Sequence, residues 1–252
     1  MFLSLFFAPN IVTMAWKQSS FYFTYQSIKY AKSIGQFRGF WKFYTAWKQS
    51  FRAGRNSVVD ELPWLNLPAL QYLEKNITQT FKIYEYGGGG STLFFCARAA
   101  EVVTVEDHQE WFSTLTQTVK NKSYNNWQGR FISPETVEGN PNRSHENPAD
   151  FKSGAKGLEH LSFEKYAKSI HDFPENYFDL VLVDGRARPS CIQEAMPHLK
   201  SGGLLVVDNT ERPYYLAPFR SILAEGYEKI LEAQAPVYYT PDFTITSIYR
   251  KR

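Results

Sequence analysis

The chain has 252 residues, 43% apolar and 21% charged, which suits one domain with an appendage, provides for a packed core and excludes a disordered polymer. Its net charge of +3 is uneven: the stretch 1–59 carries eight Lys and Arg and no Asp or Glu, so the remainder is acidic. Two distant cysteines, Cys96 and Cys191, exclude a disulfide scaffold and fit a reducing, cytoplasmic compartment, and no apolar run reaches membrane-spanning length.

In chain order, the opening MFLSLFFAPNIVTMAW is apolar but has no basic start and is broken by Pro9, so no signal peptide is expected. Residues 11–56 predict two or three short helices with breaks near Gly35 and Gly39. They are crowded with aromatics, among them Trp16, Phe21, Phe23, Tyr25, Trp41 and Trp47. The compositional break at Asp60 divides a basic, aromatic-rich cap (1–59) from the rest (60–252). A helix is expected over Leu65–Phe81, from Leu70, Leu73, Ile77 and Phe81 at helical spacing. Strands and helices then alternate. The expected strands are Lys82–Tyr86, Glu101–Val105, Gly129–Ile132, Tyr177–Val183, Gly203–Val207, Glu228–Glu232 and Phe243–Tyr249. The expected helices are Ser91–Ala100, Gln109–Lys120, Leu158–His171, Ser190–Leu199 and Pro218–Glu225. The polar stretch 133–157 predicts a lid or an insertion. Val/Leu/Ile-rich strands between helices imply a parallel sheet covered on both faces, and a helix-free connection through Pro236 and Pro241 implies a closing antiparallel hairpin.

Four consecutive glycines, Gly87–Gly90, follow the first of these strands. A phosphate loop would need a Lys before Ser91-Thr92, and neither glycine register fits the dinucleotide pattern G-x-G-x-x-G. Glu85-x-Gly87-x-Gly89-x-Ser91 does resemble the first motif of class I S-adenosylmethionine-dependent methyltransferases, an acid before spaced glycines. Glu106, 17 residues after Gly89, stands where that family places a second acid, at the end of the second strand. FDLVLVDGRARPSC (Phe178–Cys191) and LKSGGLLVVDN (Leu199–Asn209) resemble its fourth- and fifth-strand segments. The resemblance covers roughly residues 65–252. It implies an α/β, Rossmann-like, doubly wound and mostly parallel seven-stranded sheet with an antiparallel C-terminal hairpin, preceded by the helical extension. It also implies S-adenosyl-L-methionine as cofactor, held by Glu85, Gly87, Gly88, Gly89, Ser91, Glu106 and Asp184. The first acid would organise the cationic end of the cofactor, and Glu106 would accept both ribose hydroxyls.

The acceptor is narrowed by what is missing. Asp184-Gly185-Arg186-Ala187 lacks the Asp/Asn-Pro-Pro-Tyr of amino-methylating nucleic-acid enzymes, so nucleic acid is not the expected partner. Asp184 with Asp208-Asn209 is similar to the ligand set of metal-dependent O-methyltransferases of the catechol and caffeoyl-CoA type. That set would hold Mg²⁺ on Asp184, Asp208 and Asn209 and act on a small hydroxylated or sugar-like acceptor. Without a metal, Asp184 would serve as the catalytic base, with Arg186 or Arg188 orienting the acceptor; the same arginines could instead pair with Asp184. His108 reads as a helix cap, and His160, His171 and His198 as surface residues. Two other classes remain open. The basic, aromatic cap would suit a peripheral membrane or nucleic-acid contact, and Glu106 would also suit the ribose of an NAD-dependent oxidoreductase.

Overall fold

The computed structural model describes residues 16–31, 37–137 and 143–252. The expected break at Gly35 and the expectation of no signal peptide in the opening residues lie outside them. The strands are β1 (Lys82–Tyr86), β2 (Glu101–Glu106), β3 (Trp127–Phe131), β4 (Glu135–Thr136), β5 (Leu161–Ser162), β6 (Phe178–Val183), β7 (Leu199–Asp208), β8 (Tyr227–Ala235) and β9 (Thr244–Lys251). Seven form one sheet in the order β3-β2-β1-β6-β7-β9-β8. The first five of these run parallel; β9 is antiparallel to both β7 and β8. Strand order reverses between β1 and β6, so the carboxyl ends of these strands open a crevice there.

Alternation along the strands feeds two cores. Tyr84, Tyr86, Val103, Val181, Val183 and Val207 pack on one face beneath the helices Glu164–Lys168 and Arg188–Ala195. Ile83, Val102, Leu180, Leu182 and Val206 pack on the other with the helices Leu67–Asn76 and Gly90–Cys96. The cap contributes to the second core: Phe23, Phe40 and Trp47 are fully buried in it, and Phe23 lies edge-on to Phe243 at 5.4 Å. Trp47 also donates to the Thr240 carbonyl at 3.0 Å. The loop between β8 and β9 is therefore the seat of the cap.

Several boundaries differ from expectation for local reasons. The helix expected over Leu65–Phe81 runs Leu67–Asn76, because Asn66 caps it by accepting from the Ala69 amide at 3.0 Å, with Pro68 in its first turn. The helix expected over Leu158–His171 is not continuous. Leu161–Ser162 pairs antiparallel with Glu135–Thr136, and only Glu164–Lys168 is α-helical, followed by a 3₁₀ turn at Ser169–Asp172. The Phe163 amide is drawn to the Phe151 carbonyl, which fixes the chain before the helix starts. Within 133–157 the described residues fold on themselves: Ser144 N–H and the Arg143 guanidinium both bond Asp150.

Candidate active site

Alternation puts Glu85 on the same face as Ile83, so its side chain points under the helix Gly90–Cys96 rather than into solvent. It is wholly buried and stands in register with Thr104 of β2. One carboxylate oxygen, Oε2, accepts from the Thr92 hydroxyl at 2.5 Å and the Thr104 hydroxyl at 2.9 Å. The other, Oε1, is buried with no hydrogen-bond partner among the described residues. Burial pushes the Glu85 carboxyl up to about 7, against the hydroxyls of Thr92 and Thr104, which hold it down. Thr92 also accepts from the Gly89 amide at 3.0 Å, so the buried acid fixes the glycine turn through one hydroxyl.

Glu106 grips the same turn from the other side. Its Oε2 accepts from the Gly88 amide at 3.0 Å, and its Oε1 from the amides of Asp107 at 3.1 Å and His108 at 3.0 Å. Burial raises its pKa, partly offset by these amides. A carboxylate has about four acceptor directions. Three are taken, which leaves Glu106 one acceptor direction free.

Each glycine has its own reason. Gly87 has φ +89°, and a Cβ there would lie 2.8 Å from the Gly185 Cα, because the turns after β1 and β6 touch. A Cβ on Gly88 would meet Leu115 at 2.6 Å and Thr104 at 2.7 Å. A Cβ on Gly90 would lie 2.1 Å from the Ser57 carbonyl oxygen and 2.4 Å from that of Leu62, so this glycine exists to dock the end of the cap. Gly89 alone is unconstrained by the protein. Its backbone is extended, and the nearest atom to a Cβ would be Trp111 Cζ2 at 3.9 Å. Trp111 itself is pinned by its indole N–H to the Gly88 carbonyl at 2.7 Å.

The acids after β6 and β7 are organised by Arg188. Its guanidinium bonds Asp184 Oδ1 at 2.9 Å, the Asp184 carbonyl at 3.1 Å and the Asp208 carbonyl, and its Nε bonds the Gly185 carbonyl at 3.1 Å. Burial raises the Asp184 pKa and outweighs Arg188, which lowers it. Asp208 is 3% exposed, accepts from the Thr246 hydroxyl at 2.6 Å and is pushed by burial, then by Asp184, up to about 8. Asn209 follows with φ +57°. Together with Trp64 and Thr240 these residues line a cleft of about 370 Å³.

The Mg²⁺ set Asp184, Asp208 and Asn209 does not fit a divalent ion. Asp184 is committed to a guanidinium standing between the strand ends, and Asp208 is turned toward Thr246. Among the described residues no three His, Cys, Asp or Glu side chains assemble around a common point. Arg186, expected beside Asp184, instead reaches Asp107 at 3.7 Å and is largely exposed. His108 caps the helix Gln109–Asn121 by accepting from the Trp111 amide at 3.3 Å. His198, expected at the surface, is buried, with Nδ1 3.0 Å from the Pro174 carbonyl. Thr92 and Thr104 were invisible to motif reasoning; the one signal for Thr104 is a polar residue inside the apolar run EVVTVE.

No protein-family model and no curated protein matches the chain. Solved structures do. A Corynebacterium glutamicum protein matches with a TM-score of 0.52 and 11% identity, over 84% of this chain and 96% of that one. A putative methyltransferase from Streptococcus mutans, solved with S-adenosylhomocysteine, gives 0.49 and 10% over 72% and 94%. An rRNA methylase from Streptococcus thermophilus gives 0.48 and 13% over 72% and 92%. At such identities likeness speaks for the fold alone, and the fold is α/β and Rossmann-like.

Proposed function

We propose that the chain is an S-adenosylmethionine-dependent methyltransferase that methylates an oxygen of a small hydroxylated acceptor. The observation that carries the reading is the pair of buried acids holding one glycine turn from its two sides, with space at Gly89 that no protein atom fills. Acids on both sides of the turn suit a ligand with a cationic end, whereas a pyrophosphate would meet two carboxylates. The sheet argues in the same direction, since antiparallel β9 is inserted between β7 and β8, whereas the dinucleotide-binding order 3-2-1-4-5-6 has no inserted strand.

Bound here, the cofactor would supply an electrophilic methyl group on a sulfonium. Glu85 and its hydroxyl partners would set the charge beneath it, Gly89 would admit it, and Glu106 would take one ribose hydroxyl. Asp184, held through Oδ1 by Arg188, would orient the acceptor in the cleft and accept its proton. Burial favours that role, because a carboxyl raised above its ordinary range is a better proton acceptor than a solvated one. Arg188 then stabilises the aspartate as charge moves. Trp64, half exposed at the rim, offers a flat face to a ring-shaped acceptor.

Calorimetric titration with S-adenosylhomocysteine and with NAD⁺ tests the cofactor. The first should bind and the second should not. Gly89→Ala should keep the parent's thermal midpoint, because its methyl meets only Trp111, yet bind S-adenosylhomocysteine about tenfold or more weakly, the effect of a methyl forced into a filled contact. Unchanged affinity in that variant would place the ligand elsewhere. Transfer of labelled methyl groups to a panel of catechols, sugars, carboxylates and RNA identifies the acceptor. Labelling of RNA or carboxylates in preference to hydroxylated molecules would overturn the acceptor assignment.

A further inference from the structure

The cap has two apolar faces, and its own core uses only one. In the helix Ser20–Lys29 the inward positions are Phe23, Gln26 and Ser27. The outward positions Phe21, Tyr25 and Ile28 fall at the i, i+4, i+7 spacing of a single stripe and are 74%, 56% and 60% exposed. Aromatic contacts extend the stripe, with Trp16 against Tyr22 at 6.5 Å and Tyr22 against Tyr25 at 6.2 Å. Trp16 is itself 54% exposed. Soluble surfaces scatter such residues singly, whereas a contiguous stripe of them marks a contact.

The charges around the stripe say what it contacts. Nothing before Asp60 is acidic. Exposed Lys29 follows Ile28, and exposed Lys42 follows exposed Trp41. One acid, Asp242, stands at the edge of the stripe, where it pairs with Lys17 at 3.3 Å and accepts from the Tyr22 hydroxyl. Lys29 and Lys42 are left on the lysine side, and large aromatics and an aliphatic with such lysines match a bilayer interface with anionic headgroups. A nucleic acid would use the lysines and the rings for stacking, but it gains nothing from Ile28. Among the described residues no helix is long and apolar enough to cross a membrane, so the contact is one of lying on the surface. We propose that the outward face of the helix Ser20–Lys29, with Trp16, docks the protein on an anionic lipid surface. This rests on the cap alone and is independent of the methyl-transfer reading.

Flotation of the full chain with phosphatidylcholine vesicles, with and without phosphatidylglycerol, tests it. The full chain should float with the anionic vesicles, much less with neutral ones, and lose most of that binding in roughly molar salt, where charges are screened within a few ångströms. The variant carrying Phe21→Ser, Tyr25→Ser and Ile28→Ser should lose flotation at least ~tenfold, because three interfacial side chains no longer enter the lipid boundary. Its thermal midpoint should match the parent's, since none of the three is in the core. Ile28→Glu, changed alone, should weaken flotation through charge and guards against a misfolded triple variant. The proposal fails if the full chain stays with neither vesicle, or if the triple variant floats as well as the parent. It fails equally if the parent is a dimer by light scattering that the triple variant dissolves while vesicles bind neither, or if single-stranded RNA binds at this face and lipid does not.

Discussion

Glu85→Gln separates the structural from the functional role of the buried acid. Folding raises this carboxyl from its ordinary 4.5 to about 7, chiefly by burial. The folded state therefore keeps its proton to a higher pH than the unfolded chain does. The associated stability is fully present below about 4.5 and is lost as pH rises through about 7. At about 1.4 kcal/mol per pH unit the gap corresponds to about 3 kcal/mol as an upper value. In a chain of this length that is a fall of about 6–12 °C in thermal midpoint between mildly acidic and mildly alkaline buffer.

Glutamine has the same shape and does not titrate. Its carbonyl can take the two threonine hydroxyls, but its NH₂ then stands where Oε1 stands, with no acceptor, which costs about 1–3 kcal/mol at every pH. The variant should thus be less stable than the parent near pH 5 and close to it, or above it, near pH 8. Differential scanning calorimetry across that range, without cofactor, measures the difference. Titration with S-adenosylhomocysteine should show weakened binding at the same time. A midpoint difference that stays constant across the range would refute the reasoning, because it would mean that Glu85 titrates normally in the fold.

Gly90→Ala should destabilise by about 1–3 kcal/mol, since its Cβ must push the Ser57 and Leu62 carbonyls away, and limited proteolysis should show cleavage within 52–62 that the parent resists. EDTA should leave methyl transfer unchanged, because Arg188 occupies the position a cation would need; activity that vanishes in EDTA and returns with Mg²⁺ would overturn this. Arg188→Met should leave Asp184 buried without its cation, cost about 3–5 kcal/mol and move the acid limb of the pH–rate profile upward, measured by unfolding and by single-turnover rates.

The sheet was readable because its strands are buried on both faces and show as unbroken runs: YFDLVLV and GLLVV allow no other placement in an alternating chain. The segment 158–171 was misread because periodicity cannot show that Leu161–Ser162 pairs with Glu135–Thr136, a partner some 25 residues away in sequence. The acids at the ends of β1 and β2 were legible from the glycines between them. Which glycine serves a ligand was not, because three of the four answer to contacts with Gly185, Leu115 and Ser57, all distant in sequence. His198 was misplaced for a like reason: its position beside a helix end says nothing of the Pro174 carbonyl that satisfies it inside the fold.

Arg188 is where sequence similarity and physical chemistry part. The oxygens of Asp184, Asp208 and Asn209 have the order in sequence of a divalent site, yet two arginines stand within four residues of Asp184. Only the turn decides which of them matters. Ala187 takes φ +43°, and the helix Arg188–Ala195 begins at once, which folds Arg188 back under Asp184 and sends Arg186 out to Asp107. A guanidinium so placed supplies positive charge at the strand ends, as a metal would, but differs in two respects. It cannot exchange, and it presents donors rather than an open coordination position. It can therefore orient and stabilise a carboxylate but cannot bind an acceptor oxygen directly and lower its pKa. In the proposed reaction the acceptor's proton would go to a side chain, and Asp184, whose pKa burial raises, is the candidate for it.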